Sequence, residues 1–149
     1  MDNYTANGTI AAVTAAPGDT ALALFASLLT RGRLYWFDLA IGGTPQDFMM
    51  QWLVRRFTAV GTYTAVVPRP DDPAAPAAQI TGGQQFTAEP TYTTTEFEKF
   101  LHLRAPWQWN ARPGGELVIP ATGVATGVGF TPIQATYALA AAVIAKWTE

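Results

Sequence analysis

Cysteine is absent from these 149 residues, which excludes disulfides and thiolate metal sites. Histidine and serine each occur once, as His102 and Ser27. A hydrolytic triad needs a nucleophile, a base and an acid brought together. His102 sits between Leu101 and Leu103, and Ser27 lies in an apolar run, so His102 reads as a surface or interface residue. Charge is scarce as well: 13% of residues are charged, where about 25% is usual. The surface must therefore be covered largely by Thr, Gln, Gly, Ala and apolar side chains, which suits packing against other subunits as well as an ordinary Ala- and Thr-rich exterior. Net charge is −2, and the densest positive spots are Arg31-Gly32-Arg33 and Arg55-Arg56, too little for a phosphate-backbone footprint. The start MDNYTANGTI has no basic, then apolar, signal-peptide pattern, and Ala135 to Trp147 is too short to cross a bilayer as a helix. A soluble single-domain protein made in the cytoplasm, bound neither to nucleic acid nor to membrane, is the expectation.

Pattern and turn chemistry predict an all-β chain. The stretch Phe100 to Pro120 reads as a central hairpin. Trp107, Trp109 and Ala111 alternate with Gln108, Asn110 and Arg112, and Leu117-Val118-Ile119 follows as a β-prone run. Between them, Arg112-Pro113-Gly114-Gly115 suits a type II turn, because Pro113 presets φ and Gly114 tolerates the positive φ required next. Residues 8–15, 20–29, 33–41 and 63–67 also read as strands, with 1–7 polar and frayed. Residues 46–60 and 133–147 carry both helix and strand signals, and the β character of their surroundings favours strand. Residues 87–95 read as an edge strand broken at Pro90, and 97–103 as extended. Long loops are expected at 68–83, with four prolines, and at 121–132, with three glycines. The expected architecture is one antiparallel β-sandwich of jelly-roll type over 1–149, with an N-terminal segment 1–15 that can extend from it. Trp36, Trp52, Trp107 and Trp109 are core candidates.

Other chemistry is thin. Glu96 and Glu98 are two positions apart on one strand, roughly 7 Å, a spacing that a paired-carboxylate site tolerates. Lys99 beside them favours a solvated edge. Asp71-Asp72 precedes Pro73 and lacks the spaced oxygen ligands of a calcium loop. No phosphate-binding or dinucleotide fingerprint occurs. No metal or cofactor is expected, and no enzymatic activity. Five tryptophans leave open a sugar-stacking platform, so a carbohydrate-binding sandwich is the second reading.

Four segments together carry a resemblance: Phe57 to Pro68 (FTAVGTYTAVVP), Asp72-Pro73-Ala74, Thr87 to Thr93 (TAEPTYT), and Pro113 to Thr122 (PGGELVIPAT). In this order they resemble small head decoration, or cement, proteins of tailed bacteriophages, over roughly residues 43 to 130. The resemblance implies a jelly-roll-like sandwich that binds the major capsid protein on the outer surface of the virion, typically as a homotrimer and without a cofactor. Within that reading, the proline-rich loop and the N-terminal segment are expected to reach neighbouring subunits. The interface candidates are Ile10, Val13, Pro68, Pro70, Asp71, Asp72, Pro73 and Pro76.

Overall fold

The structure is a computed structural model, and it describes residues 1–13, 19–43, 47, 49–102, 104–134 and 139–149. The described residues form strands and no helix. In chain order they are β1 (Asn3–Ile10), β2 (Leu22–Phe25), β3 (Gly32–Gly42), β4 (Met49–Ala59), β5 (Thr62–Val66), β6 (Arg69–Pro70), β7 (Thr81–Ala88), β8 (Thr91–His102), β9 (Trp107–Asn110), β10 (Leu117–Ile119), β11 (Gly127–Ile133) and β12 (Ala140–Thr148). Two antiparallel sheets pack face to face. The first runs β3-β12-β1-β6, with β9 and β10 both on the free side of β3. The second runs β5-β7-β2-β11-β4-β8. The pairs β1–β12, β2–β11, β3 with β9 and β10, and β4–β8 nest inside one another along the chain. That nesting is the jelly-roll arrangement of a rolled-up antiparallel ribbon, with β5, β6 and β7 inserted between β4 and β8.

Alternation along the strands builds the core. In β12, Ala141, Val143, Ala145 and Trp147 point inward, and in β4 Met50, Trp52 and Val54 do the same. Both ambiguous segments are therefore strands where they are described. The Val and Ile content and the period of two outweigh the helix propensity of Ala once neighbours pair on both sides. Residues 135–138 lie outside the described part. Phe37 is the centre of the aromatic packing, with ring centroids 5.0 Å from Trp109, 5.2 Å from Phe130, 5.6 Å from Trp107 and 6.1 Å from Phe97. A second, smaller cluster occupies the opposite face of the second sheet. There Ala23, Phe25 and Phe57 are covered by Val60, Phe86 and Tyr92. β2 is consequently buried on both faces, which is why residues 21–26 are apolar without a break.

Several expectations need correcting. Phe100 to Pro120 is not a hairpin: β9 and β10 do not pair with each other but lie end to end along β3. The turn inside it does form, with Gly115 N donating to Arg112 O at 2.7 Å and Gly114 at φ 80°. It makes an excursion from one edge rather than a chain reversal. The chain start is not frayed. Asn3 to Ile10 pairs with β12 along its whole length, and Tyr4 and Ala6 are buried while Asn3 and Asn7 face outward. The polar outer face conceals the alternation when the sequence is read alone. Residues 3–10 are thus part of the sandwich and not an extended arm.

The 68–83 loop is shorter than expected, since β6 and the start of β7 take both its ends. The 121–132 loop ends at Thr126, and β11 runs through the middle of the second sheet. Its glycines read as flexible, but Gly127 lies under the Phe57 ring and Gly129 under Tyr92. Finally, Trp36 is half-exposed on the outer face. A register shift opposite Tyr35 puts Leu34 and Phe37 on the same inner face and turns Trp36 outward with Asp38.

A Cβ on Gly127 would overlap the Leu24 carbonyl oxygen and approach the Phe57 ring to 2.5 Å. Gly127→Ala is therefore expected to destabilise the fold by about 1–3 kcal/mol or more, read as a lower urea midpoint at unchanged m-value.

Candidate functional site

Both chain termini, the 71–80 loop and the β2–β3 and β10–β11 connections gather at one end of the sandwich, as the registers Asn3↔Thr148, Arg33↔Thr148 and Gly32↔Ile119 require. The two connections are tied together there. Gly123 N donates to Ser27 O at 3.2 Å, Ala26 N to Thr126 O at 2.8 Å, and Leu29 N to the Ser27 hydroxyl oxygen at 3.0 Å. Gly123 takes a φ of 97°. These bonds hold out an apolar tip in which Leu28 is 75%, Leu29 83% and Val124 61% exposed. Together these large aliphatic side chains form an exposed apolar patch on a braced loop.

The proline-rich loop packs on its own sandwich at this end. Asp71 N donates to Asn3 O at 2.8 Å, and the Asp71 carboxylate accepts from the Thr5 hydroxyl at 2.6 Å and from Lys146 Nζ at 3.2 Å. The Tyr4 hydroxyl donates to Pro76 O at 3.1 Å. Gln79 N and Ile80 N donate to the Glu149 carboxylate at 2.8 and 2.9 Å. Asp72 forms a local turn, accepting from Ala74 N at 2.9 Å. Of the interface candidates, Val13 and Pro68 are buried, with Val13 N bonded to Leu139 O. Ile10 packs against the core and Pro70 pairs with Tyr4. Asp71, Asp72, Pro73 and Pro76 remain exposed. Their arrangement closes the end of the chain's own sandwich, because the loop's backbone and carboxylate groups find partners on β1 and β12.

The remaining sequence candidates do not converge. Glu96 pairs with Arg56 at 2.8 Å and Glu98 accepts from Gln51 at 2.5 Å, so each carboxylate is held by a separate partner from β4. Arg56 also donates to Val118 O, linking β4 to β10 of the other sheet. His102 and Arg104 lie 3.9 and 3.3 Å from Asp47, at the end of β4 remote from Ser27. Trp52 and Trp147 are fully buried, Trp107 and Trp109 are partly buried against the core, edge-on and stacked on Phe37 respectively, and Trp36 is on the outer face of the first sheet, so the tryptophans do not share one open platform. Among the described residues no group of three or more His, Cys, Asp or Glu side chains is placed to hold a metal ion.

One polar cluster escaped the sequence reading. On the outer face of the second sheet, the Glu89 carboxylate accepts from Thr20 N at 3.1 Å and from the Thr20 hydroxyl. That hydroxyl also meets the Tyr92 hydroxyl. Thr131 bonds Tyr92 at 3.3 Å and accepts from Arg55 at 2.9 Å, and the Arg55 guanidinium lies 3.7 Å from the Tyr92 ring centre. The cluster clamps the β7–β8 connection onto the sheet. Burial raises the Glu89 carboxyl above its ordinary 4.5, with Asp19 adding to the rise, while the Thr20 bonds and Arg55 oppose it. No motif marks the cluster, because Thr20 and Glu89 are 69 positions apart.

Compared with known proteins, the chain matches no family model, no curated protein and no solved structure.

A carboxyl raised on folding stabilises the fold fully below its unfolded value, and that contribution is lost as pH rises through the folded value. Urea stability is therefore expected to gain a Glu89 contribution as pH falls from neutral toward the ordinary carboxylate range, and Glu89→Gln should remove that gain. Asp71 has the opposite sign and a different range. The Thr5 hydrogen bond, with Lys146, holds it below its ordinary 3.8, so its contribution is lost only in stronger acid.

Proposed function

We propose that this chain is a non-enzymatic structural protein of a tailed-phage virion that decorates the outer surface of the head by binding the major capsid protein. The observation that carries the reading is the braced apolar tip Leu28, Leu29 and Val124 at one end of a jelly-roll sandwich. Three further features support it. The low charge suits a protein covered by neighbours. The segments that resemble decoration proteins are structurally coherent: Phe57 to Pro68 and Thr87 to Thr93 pair with each other, through Phe57↔Tyr92, Ala59↔Thr91 and Thr62↔Ala88. The two connections that form the tip are hydrogen-bonded to each other, so docking orders little chain. Three copies around a three-fold position is the arrangement that the resemblance implies.

The test is occupancy on the particle. Purified heads assembled with and without the protein are compared by electron microscopy and gel densitometry. Added density on the head exterior is the expected result, and absence from purified virions overturns the proposal. Replacing both Leu28 and Leu29 by Asp should leave circular dichroism unchanged, since both side chains are already in solvent, and reduce occupancy at least about tenfold, which corresponds to about 1.4 kcal/mol of lost docking energy.

A further inference from the structure

Every open sheet has edges whose unpaired N–H and C=O groups invite another strand, and folded proteins guard them with charge, proline, interruption or cover. Three of the four edges here are guarded. β8 carries Glu96, Glu98 and Lys99. β9 and β10 are short and separated by the turn at 111–116. On the other edge of the first sheet, β6 has two residues, one of them Pro70, and Thr9 N on β1 beyond it is met by Gln84 at 3.0 Å.

β5 is different. It pairs only with β7, and no backbone bond reaches its other side among the described residues. Its register irregularity lies between Thr62 and Thr64, and its pairing with β7 is regular from Thr64 to Val66. No residue from Phe57 to Pro68 is charged. Beside this edge an apolar groove of about 290 Å³ runs between the strand and the 77–78 segment, with Tyr63, Val66, Val67, Pro68, Ala77 and Ala78 in its walls. Val67 is 83% and Tyr63 38% exposed.

We propose that β5 pairs antiparallel with β5 of a second copy of this chain about a two-fold axis at Ala65. Charge selects this occupant. A two-fold contact sets each residue group against its own image, so a charged patch repels itself, and this edge and the 73–88 segment beside it contain no charge at all. An axis at Ala65 sets Thr64 opposite the second copy's Val66. It also sets Tyr63, whose ring packs on Phe25 and Phe86, opposite the second copy's exposed Val67, an aromatic with β-branched cross-strand pair. Tyr63, Ala65 and Val67 share one strand face, so the two grooves join into a continuous apolar floor. Area requires the groove to take part: five strand residues span only about 17 Å, and edge pairing alone falls well short of the roughly 1,200 Å² of a stable interface.

The contact is independent of docking to a capsid, and solution mass tests it separately from particle occupancy. Sedimentation equilibrium of the full chain across micromolar concentrations should give a reversible species of twice 16.0 kDa. Ala65→Lys, at an exposed position, sets two like charges opposite each other and should weaken the dimer at least about tenfold. Val67→Glu should do the same from the groove side, and Val124→Lys, on the β10–β11 connection and not in the groove wall, should not. Circular dichroism checks that each variant is folded, and the Val67 variant carries the test where the Ala65 variant is not. A wild-type monomer at all concentrations, a trimer, or a dimer that neither β5 variant weakens would overturn the proposal.

Discussion

The last strand holds the structure together. β12 lies between β1 and β3, in register with both over its full length apart from one shift. Without it the first sheet would divide into two unconnected ribbons. Its inward side chains end in Trp147, fully buried and stacked on Tyr4 with ring centroids 6.1 Å apart. Glu149, just beyond it, accepts from Gln79 N, Ile80 N and the Trp147 indole, and so fastens the proline-rich loop. One strand thus supplies sheet continuity, core volume and the anchor for the proline-rich loop. Because its partners begin at residue 3, the fold closes only when the two ends of the chain meet, a topology dominated by distant contacts and correspondingly slow to form.

The second sheet meets a different constraint, which is having apolar residues on both of its faces. The larger core takes Leu22, Leu24, Val128 and Phe130, and the smaller takes Ala23, Phe25 and Phe57. On the outer face β7 contributes Phe86. Just before it lies Gln85, whose φ of 51° is an unusual value for a residue with a side chain, at the irregularity in the β5–β7 pairing. The Glu89 clamp then secures the β7–β8 connection. Its polar groups are satisfied mainly by one another, which lets a carboxylate be half-buried without an ion-pair partner in hydrogen-bonding contact.

The two proposed surfaces follow from this layout. The tip Leu28, Leu29 and Val124 is apolar because it caps no core of its own. The β5 edge is open because the β5–β7 hairpin is an insertion beyond the nested jelly-roll pairs, with no further strand to cover it. The tip and the groove share no residue, although the 77–78 wall of the groove belongs to the loop at the tip end of the sandwich.

By itself the sequence determined the all-β class and the turn at Arg112 to Gly115, both from local causes: a period of two, β-branched residues and the φ preferences of proline and glycine. Residues 46–60 and 133–147 carried helix and strand signals together, and pairing with neighbouring strands decided for strand over Met49–Ala59 and Ala140–Thr148. Of the core candidates, Trp52 is fully buried and Trp107 and Trp109 pack against the core. Local pattern stops where register begins. One extra residue near Tyr35 reverses which side of β3 faces inward, and no single-strand pattern announces it. Gly127 and Gly129 read as loop until Phe57 and Tyr92 are known to lie over them. The Glu89 clamp, the split edge of β9 and β10 and the open edge of β5 were decided by the tertiary structure alone. Each depends on which strands become neighbours, and that choice is made by residues tens of positions apart, through burial and hydrogen bonding that no short window of sequence contains.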